Sequence, residues 1–330
     1  MRTEEFKSLP KVELHLHLDC SLSYDVVHAI DPSISREEYQ TNFIAPAKCS
    51  GLVEYINKAL NSIALMQTRE HLQLITEDLF KQLAEDNVIY AEIRFAPLEH
   101  TLMGLSPFEV VDIVHAQTSK CIKKYGVHAG IILCTLRHYS EEQSLATAKL
   151  VEQFKGTSVV GFDIAADEGG FPIDKHVRAF NYAFNNNINC TAHAGEVKGP
   201  ESIRETIKNF KVTRIGHGVR SIEDQELVDY LVANNIHLEI CPTSNIQVDV
   251  FDRIETHSIN ALYNAGVSLS VNTDARTISN VSLSEEYSLL MDTFGWTKSH
   301  FKKTNMEAIK HAFSSQSLKN ELTDTILSSY

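Results

Sequence analysis

The sequence predicts an α/β fold, a (β/α)8 TIM-type barrel with a helical insertion after the first strand. Three observations predict it. Eight short β-rich runs alternate with longer segments of helical periodicity along nearly the whole chain; this pattern makes a parallel sheet, and eight strands close a barrel. The 330 residues suit one such barrel, since these run to about 250 residues or more as a single unit. The fingerprint G-x-G-x-x-G, which often marks the rival doubly wound open sheet, is absent.

The expected strands are 11–18, 88–95, 129–137, 159–165, 189–194, 214–218, 237–241 and 268–272. Helical periodicity fills 68–85, 140–154, 174–185, 200–210 and 224–234 between them. Residues 20–67 are too long for one barrel connection and read as a helical lid. Residues 282–330 read as helices that close the far side of the barrel. No Pro-, Gly- or Ser-rich linker and no internal repeat divides the chain, so 1–330 is expected to be one domain.

Apolar residues make up 43% of the chain, enough for a substantial core, and the formal charge is −13. An acidic chain without a basic face is a poor binder of nucleic-acid phosphates. No apolar run approaches a membrane span, and MRTEEFKSLPK lacks the apolar core of a signal peptide. The expected setting is cytoplasmic and the expected partner a small molecule, with neither nucleic acid nor membrane involved and no signal of oligomeric state. The six cysteines are widely spaced with no C-x-x-C pair, unlike a disulfide framework or zinc finger. Cys134 and Cys241 read as small buried hydrophobes. Most of the fifteen histidines are scattered singly, and His28, His71, His100, His300 and His311 read as surface or capping residues.

His15 and His17 are different. In LPKVELHLHLDCS the apolar Val12, Leu14, Leu16 and Leu18 alternate with Glu13, His15, His17 and Asp19. Two imidazoles two positions apart on a strand face the same way, about 7 Å apart, and suit a divalent metal such as zinc. Alone, H-x-H is more often a polar strand face. Parallel barrels, however, gather their chemistry at the C-terminal ends of different strands, and other expected strands end suitably. INCTAHAGE places His193 at the fifth strand end with Glu196 in the turn, and RIGHGVR sets His217 between two glycines. LSVNTDAR puts Asp274 just past the eighth, while FDIAADEGG ends the fourth with Asp163 nearby and Asp167 and Glu168 in what reads as a solvated loop. One shared site explains His15, His17, His193, His217 and Asp274 better than separate hydrogen-bonding or helix-capping roles. Three histidines and one carboxylate hold zinc and leave a position for water, whose pKa the metal lowers from about 15.7 towards 7. Glu196 and His217 fit the acid–base roles that remain.

These residues resemble the adenosine deaminase family of zinc aminohydrolases. The matching segments are PKVELHLHLD (10–19), YAEIRFAP (90–97), FDIAADEGGFP (162–172), TAHAGE (191–196), RIGHGVR (214–220), EICPTSN (239–245) and VNTDAR (271–276), in order across nearly the whole chain. The resemblance implies a (β/α)8 barrel, one Zn2+ on His15, His17, His193 and Asp274, and hydrolytic loss of ammonia from C6 of an adenine nucleoside. Glu196 would give a proton to purine N1, His217 would act as base and hold the attacking hydroxide over C6, and Asp19 would reach the sugar hydroxyls.

Three positions depart from the family pattern in the substrate pocket. Ala275 stands where a second Asp, or Asn, usually bonds purine N7. Ala166 stands where a glycine lets its backbone N–H approach N3. Cys20 replaces the glycine of H-L-D-G. Each lost buried contact to substrate costs about 1–3 kcal/mol, roughly 10–200-fold. The metal and proton-transfer set is complete, so deamination of adenosine or a related 6-aminopurine nucleoside is the expected activity. A modified adenine nucleoside or another amino-heterocycle is the alternative, and a zinc barrel that binds a nucleoside without turning it over is the alternative of another class.

Overall fold

The computed structural model describes residues 2–330. Nine strand segments, all paired in parallel, run in sequence order: β1 Lys11–His17, β2 Val88–Phe95, β3 His128–Leu136, β4 Val159–Ala165, β5 Asn189–Cys190, β6 His193–Ala194, β7 Arg214–His217, β8 His237–Ile240 and β9 Ser268–Val271. β5 and β6 are two halves of the expected fifth strand. The stave pairs first with β4 and then with β7, and it stays bonded through the break by Thr191 N–H to Phe162 C=O and Gly216 N–H to Ala192 C=O. The first and last staves meet at a parallel bridge, Leu16 to Asp274, where His17 N–H donates to Asp274 C=O at 2.8 Å and Asp274 N–H to His15 C=O at 3.0 Å. The resulting eight-stave ring is the predicted barrel.

The outer helices form where apolar stripes and caps coincide. Arg69–Glu85 buries Leu72, Ile75, Leu79 and Leu83 along one face and starts at Thr68, which accepts from His71 N–H. Pro107–Tyr125 opens on a Ser106–Glu109 capping box and ends at the left-handed Gly126. Chains of buried aliphatic and aromatic side chains fill the space between these helices and the outward face of the strands.

The barrel interior is different in kind. Where branched aliphatics usually fill a barrel, buried ions fill this one. Arg94 donates to Asp163 and Glu239, both at 2.7 Å, and Arg214 donates to Glu239 at 2.8 Å and Glu92 at 2.6 Å. Every charge is paired and hydrogen-bonded, the condition under which buried ions are tolerated.

The tail forms the helices Leu283–Phe294, Lys298–His311 and Gln316–Ser329. The last two cover β1 and β2, with Ala308, Ile309, Leu322 and Ile326 packed on Val12, Leu14 and Tyr90. Between them Phe313 lies under the Arg214 guanidinium, 3.9 Å from ring centroid to Cζ. The insertion holds the short helices Tyr24–Ile30, Arg36–Asn42, Leu52–Asn57 and Ala59–Leu65. Ala45 N–H to Ile278 C=O, Cys49 N–H to Gln247 C=O, and the Tyr55 hydroxyl to Ser279 Oγ at 2.6 Å tie it to the barrel. Among the described residues no helix is long and apolar enough to cross a membrane.

Candidate active site

A cavity of about 330 Å3 opens at the C-terminal ends of the strands, with the helices Leu52–Asn57 and Ala59–Leu65 as one wall. Its lining includes nine of the ten site residues expected from sequence, namely His17, Asp19, Cys20, Ala166, His193, Glu196, His217, Asp274 and Ala275; the tenth, His15, lies fully buried beneath.

Strand alternation turns Leu16 out to the helices and His15 and His17 in to the axis. There they meet His193 from β6 and Asp274 just past β9. His15 Nε2 is 3.2 Å from Asp274 Oδ1, His17 Nε2 is 3.2 Å from His193 Nε2, and His17 Nε2 is 3.4 Å from Asp274 Oδ1. Four donors 2.0–2.1 Å from a tetrahedral zinc would lie about 3.3 Å from one another, so the set fits that ion. Its second layer fits as well. His15 Nδ1 is 2.9 Å from Glu239 Oε2 and His193 Nδ1 is 3.1 Å from Asp163 Oδ2, so the outer nitrogens carry the protons and the inner lone pairs face inward. His15 Nε2 is a buried atom with no hydrogen-bond partner, as a nitrogen meant for a metal should be. Burial holds His17 and His193 neutral, the ligating form. For Asp274 burial opposes ionisation, but its close contact with His15 and the histidines around it keep the carboxyl well below the usual range.

Glu196 and His217 sit beside this set, with Glu196 Oε1 3.6 Å from His217 Nε2. Burial, reinforced by the charges of Asp274 and Glu168, pushes the Glu196 carboxyl well up and favours its protonated form. His217 is held neutral by burial, and its tautomer follows from a backbone group. Ile259 N–H donates to His257 Nδ1 at 3.0 Å, and burial lowers the His257 pKa to about 3. The single proton of His257 is therefore on Nε2 and goes to Asn245 Oδ1, 3.3 Å away. This orients the amide so that Asn245 Nδ2 donates to His217 Nδ1 at 3.1 Å. Neutral His217 therefore presents Nε2–H to the cavity. Gly216 makes the approach possible, because a Cβ there would fall 2.9 Å from His15 Cε1.

Asp19 is buried and its pKa is raised by burial to about 6; Ala96 N–H and the Cys20 thiol point to it at 3.4 and 3.6 Å. Ala275 lies in an apolar cluster with Leu52, Tyr55 and Ile278. Ala166, His217 and Asp274 all hold left-handed backbone, with φ of +78°, +62° and +64°, local strain of the kind that gathers at functional sites.

Two expectations need correction. Glu168 is not in a solvated loop: it is 2% exposed, and backbone N–H groups of the loop carrying Glu196 surround its carboxylate. His100 is not at the surface but fully buried, 4.0 Å from Asp19. Glu239, Asn245 and His257 went unrecognised in the sequence. Glu239 and Asn245 fall in the family-like segment EICPTSN, and Glu239 also shows as a charge inside an apolar strand run; His257 carries no signal.

The sequence profile of the adenosine deaminase family matches residues 10–329. The chain belongs to the adenosine deaminase family. Adenosine deaminases of Clostridium acetobutylicum and Clostridium kluyveri are 34% and 32% identical to it, over 97% and 98% of this chain and 97% and 94% of theirs. Among solved structures, the N6-methyl-AMP deaminase of Arabidopsis thaliana is similar with a TM-score of 0.87 at 26% identity, covering 99% of this chain and 98% of that one. An adenine deaminase of Arthrobacter aurescens shares the fold, with a TM-score of 0.90 at 24% identity over 97% of this chain and 98% of that one. The protein is thus a hydrolase-family member acting on carbon–nitrogen bonds, with the family's barrel.

Proposed function

We propose that this protein hydrolyses the 6-amino group of an adenine nucleoside, releasing ammonia, with one zinc ion on His15, His17, His193 and Asp274. The observation that carries this reading is the convergence of Glu196 and His217, 3.6 Å apart, beside that donor set on the floor of one cavity. Zinc held there would acidify the attacking water and stabilise the charge that develops as it adds.

The chain's own groups supply the rest. Glu196 donates its proton to purine N1, which makes C6 electrophilic; such positioned proton transfer contributes roughly 10²–10⁴-fold. His217 donates from Nε2 to the attacking oxygen and holds it over C6; the proton that the water loses replaces the one Glu196 has given to N1, and the remaining hydroxyl proton of the adduct leaves with the amino group as ammonia. As base His217 would need its proton on Nδ1, where Asn245 already donates. Asp19 receives sugar hydroxyls. The lining carries Asp19, Glu99 and Asp167 but, among the described residues, no lysine or arginine, so an uncharged nucleoside fits and a nucleotide phosphate finds no counter-charge. The six unpaired cysteines suit a reducing, cytoplasmic setting.

Ala275 favours a second reading of the substrate. Its methyl packs with Leu52, Tyr55 and Ile278 and offers the purine no hydrogen bond, so an adenine enlarged by an apolar group is accommodated. Steady-state comparison of adenosine, N6-methyladenosine and AMP tests both points. AMP should be at least about 100-fold poorer in kcat/KM than adenosine, and preference for N6-methyladenosine would select the second reading. Equal use of AMP would contradict the pocket argument.

A further inference from the structure

We infer that Glu168 is a positioning residue for proton delivery by Glu196, holding the backbone turn from which the donor projects. The inference rests on the deaminase reading above.

The carboxylate of Glu168 accepts four consecutive backbone N–H groups: Gly195 at 2.7 Å on Oε1, and Glu196 at 3.0, Val197 at 2.7 and Lys198 at 3.0 Å on Oε2. Ser202 Oγ donates to Oε1 at 2.6 Å. These N–H groups turn inward just ahead of the helix Pro200–Phe210, where their partial positive charges need an anion, and Glu168 supplies it from the end of β4. The loop it holds has little slack, because a Cβ on Gly195 would fall 2.3 Å from Ile203.

The donor itself is weakly fixed at its tip. The carboxyl of Glu196 makes contacts of only 3.5 Å to Asn245 and 3.6 Å to His217, both long for hydrogen bonds. Its position is therefore set from its backbone, and Glu168 is what the backbone is bonded to. The metal ligands are held otherwise, His193 through Asp163 and its carbonyl through Arg137 Nη2 at 2.8 Å. Glu168 Oε1 also lies 4.0 Å from that same Arg137 Nη2, too long for a hydrogen bond, so Glu168 serves the proton donor directly and the metal ligand only through this ion pair.

Glu168→Gln keeps the side-chain length but sets an NH2 against N–H donors; Glu168→Asp keeps the charge but falls short of the loop. Both are compared with wild type and with Glu196→Gln, alone and combined with E168Q, for kcat, KM and zinc content. For E168Q and E168D we expect kcat about 10–100-fold lower, KM within about three-fold and zinc unchanged. The E168Q/E196Q double variant should be within about three-fold of E196Q alone, since a residue acting only through Glu196 has nothing more to remove. The inference is overturned if a folded, zinc-loaded E168Q keeps kcat, if the two substitutions multiply, or if neither Glu168 variant folds. An inactive wild type, or an E196Q as fast as wild type, sinks the deaminase reading as well. A deaminating wild type with an inactive E196Q and an unchanged E168Q sinks this inference alone.

Discussion

Ala166 carries a methyl in left-handed backbone, φ +78°, where glycine would sit without steric cost. Ala166→Gly should therefore stabilise the protein by about 0.5–1 kcal/mol, read as a shift in the urea midpoint, and it removes a methyl from the cavity wall. Asp163 holds the outer nitrogen of His193. Asp163→Asn should weaken zinc binding by about 10–100-fold in a chelator competition, leaving kcat per bound zinc closer to wild type than the affinity. Side chains of the first kind of importance were legible in the sequence. His15 and His17 announced themselves by their two-residue spacing, and His193, His217 and Asp274 by closing β-rich runs. Residues that work on backbone groups or at a distance were not. Glu168 reads as one more loop acid because the N–H groups it accepts belong to every residue type. Asn245 and His257 act through a hydrogen-bond chain whose starting point, the backbone N–H of Ile259, leaves no mark in the sequence.

At the scale of elements, the strands were legible to within a residue or two because each β-rich run is set off from the next by a segment of helical periodicity. The one irregularity, the break between β5 and β6, falls where the stave changes partner from β4 to β7, which depends on neighbours far away in sequence. The helix Leu283–Phe294 carries a testable liability. Glu286 is fully buried, accepts from Thr243 N–H at 3.0 Å, and has no partner for Oε2; burial raises its pKa to about 8. Above the unfolded value, near 4.5, the unfolded chain has lost a proton that the folded chain keeps, so folding stability falls as pH rises from there to about 8. Glu286→Gln removes that term. It should be more stable than wild type at pH 8, by on the order of 1 kcal/mol or more, and nearly equal to it at pH 5, by chemical denaturation at the two pH values. The helical insertion is held by Tyr55 against Ser279. Tyr55→Phe should raise KM several-fold while changing kcat less, since the hydroxyl touches the wall and not the reacting atoms.

At the scale of the whole molecule, the barrel fastens the proposed metal ligands through the ions in its interior. Glu239 touches His15, Arg94 and Arg214, and Asp163 touches Arg94 and His193, so the strands that build the barrel also aim the imidazoles. Stripping the metal should lower the thermal midpoint, because an ion that binds only the folded chain stabilises it by mass action. Readdition of zinc should restore both the midpoint and activity. On the proposed reading Glu196, beside the proposed zinc ligands, drives hydrolytic deamination by giving its proton to purine N1. The most direct measurement is ammonia release from adenosine by wild type and by Glu196→Gln at equal zinc content. Wild type should turn over, and the variant should lose at least about 100-fold in kcat. Equal rates at equal zinc content would contradict that reading.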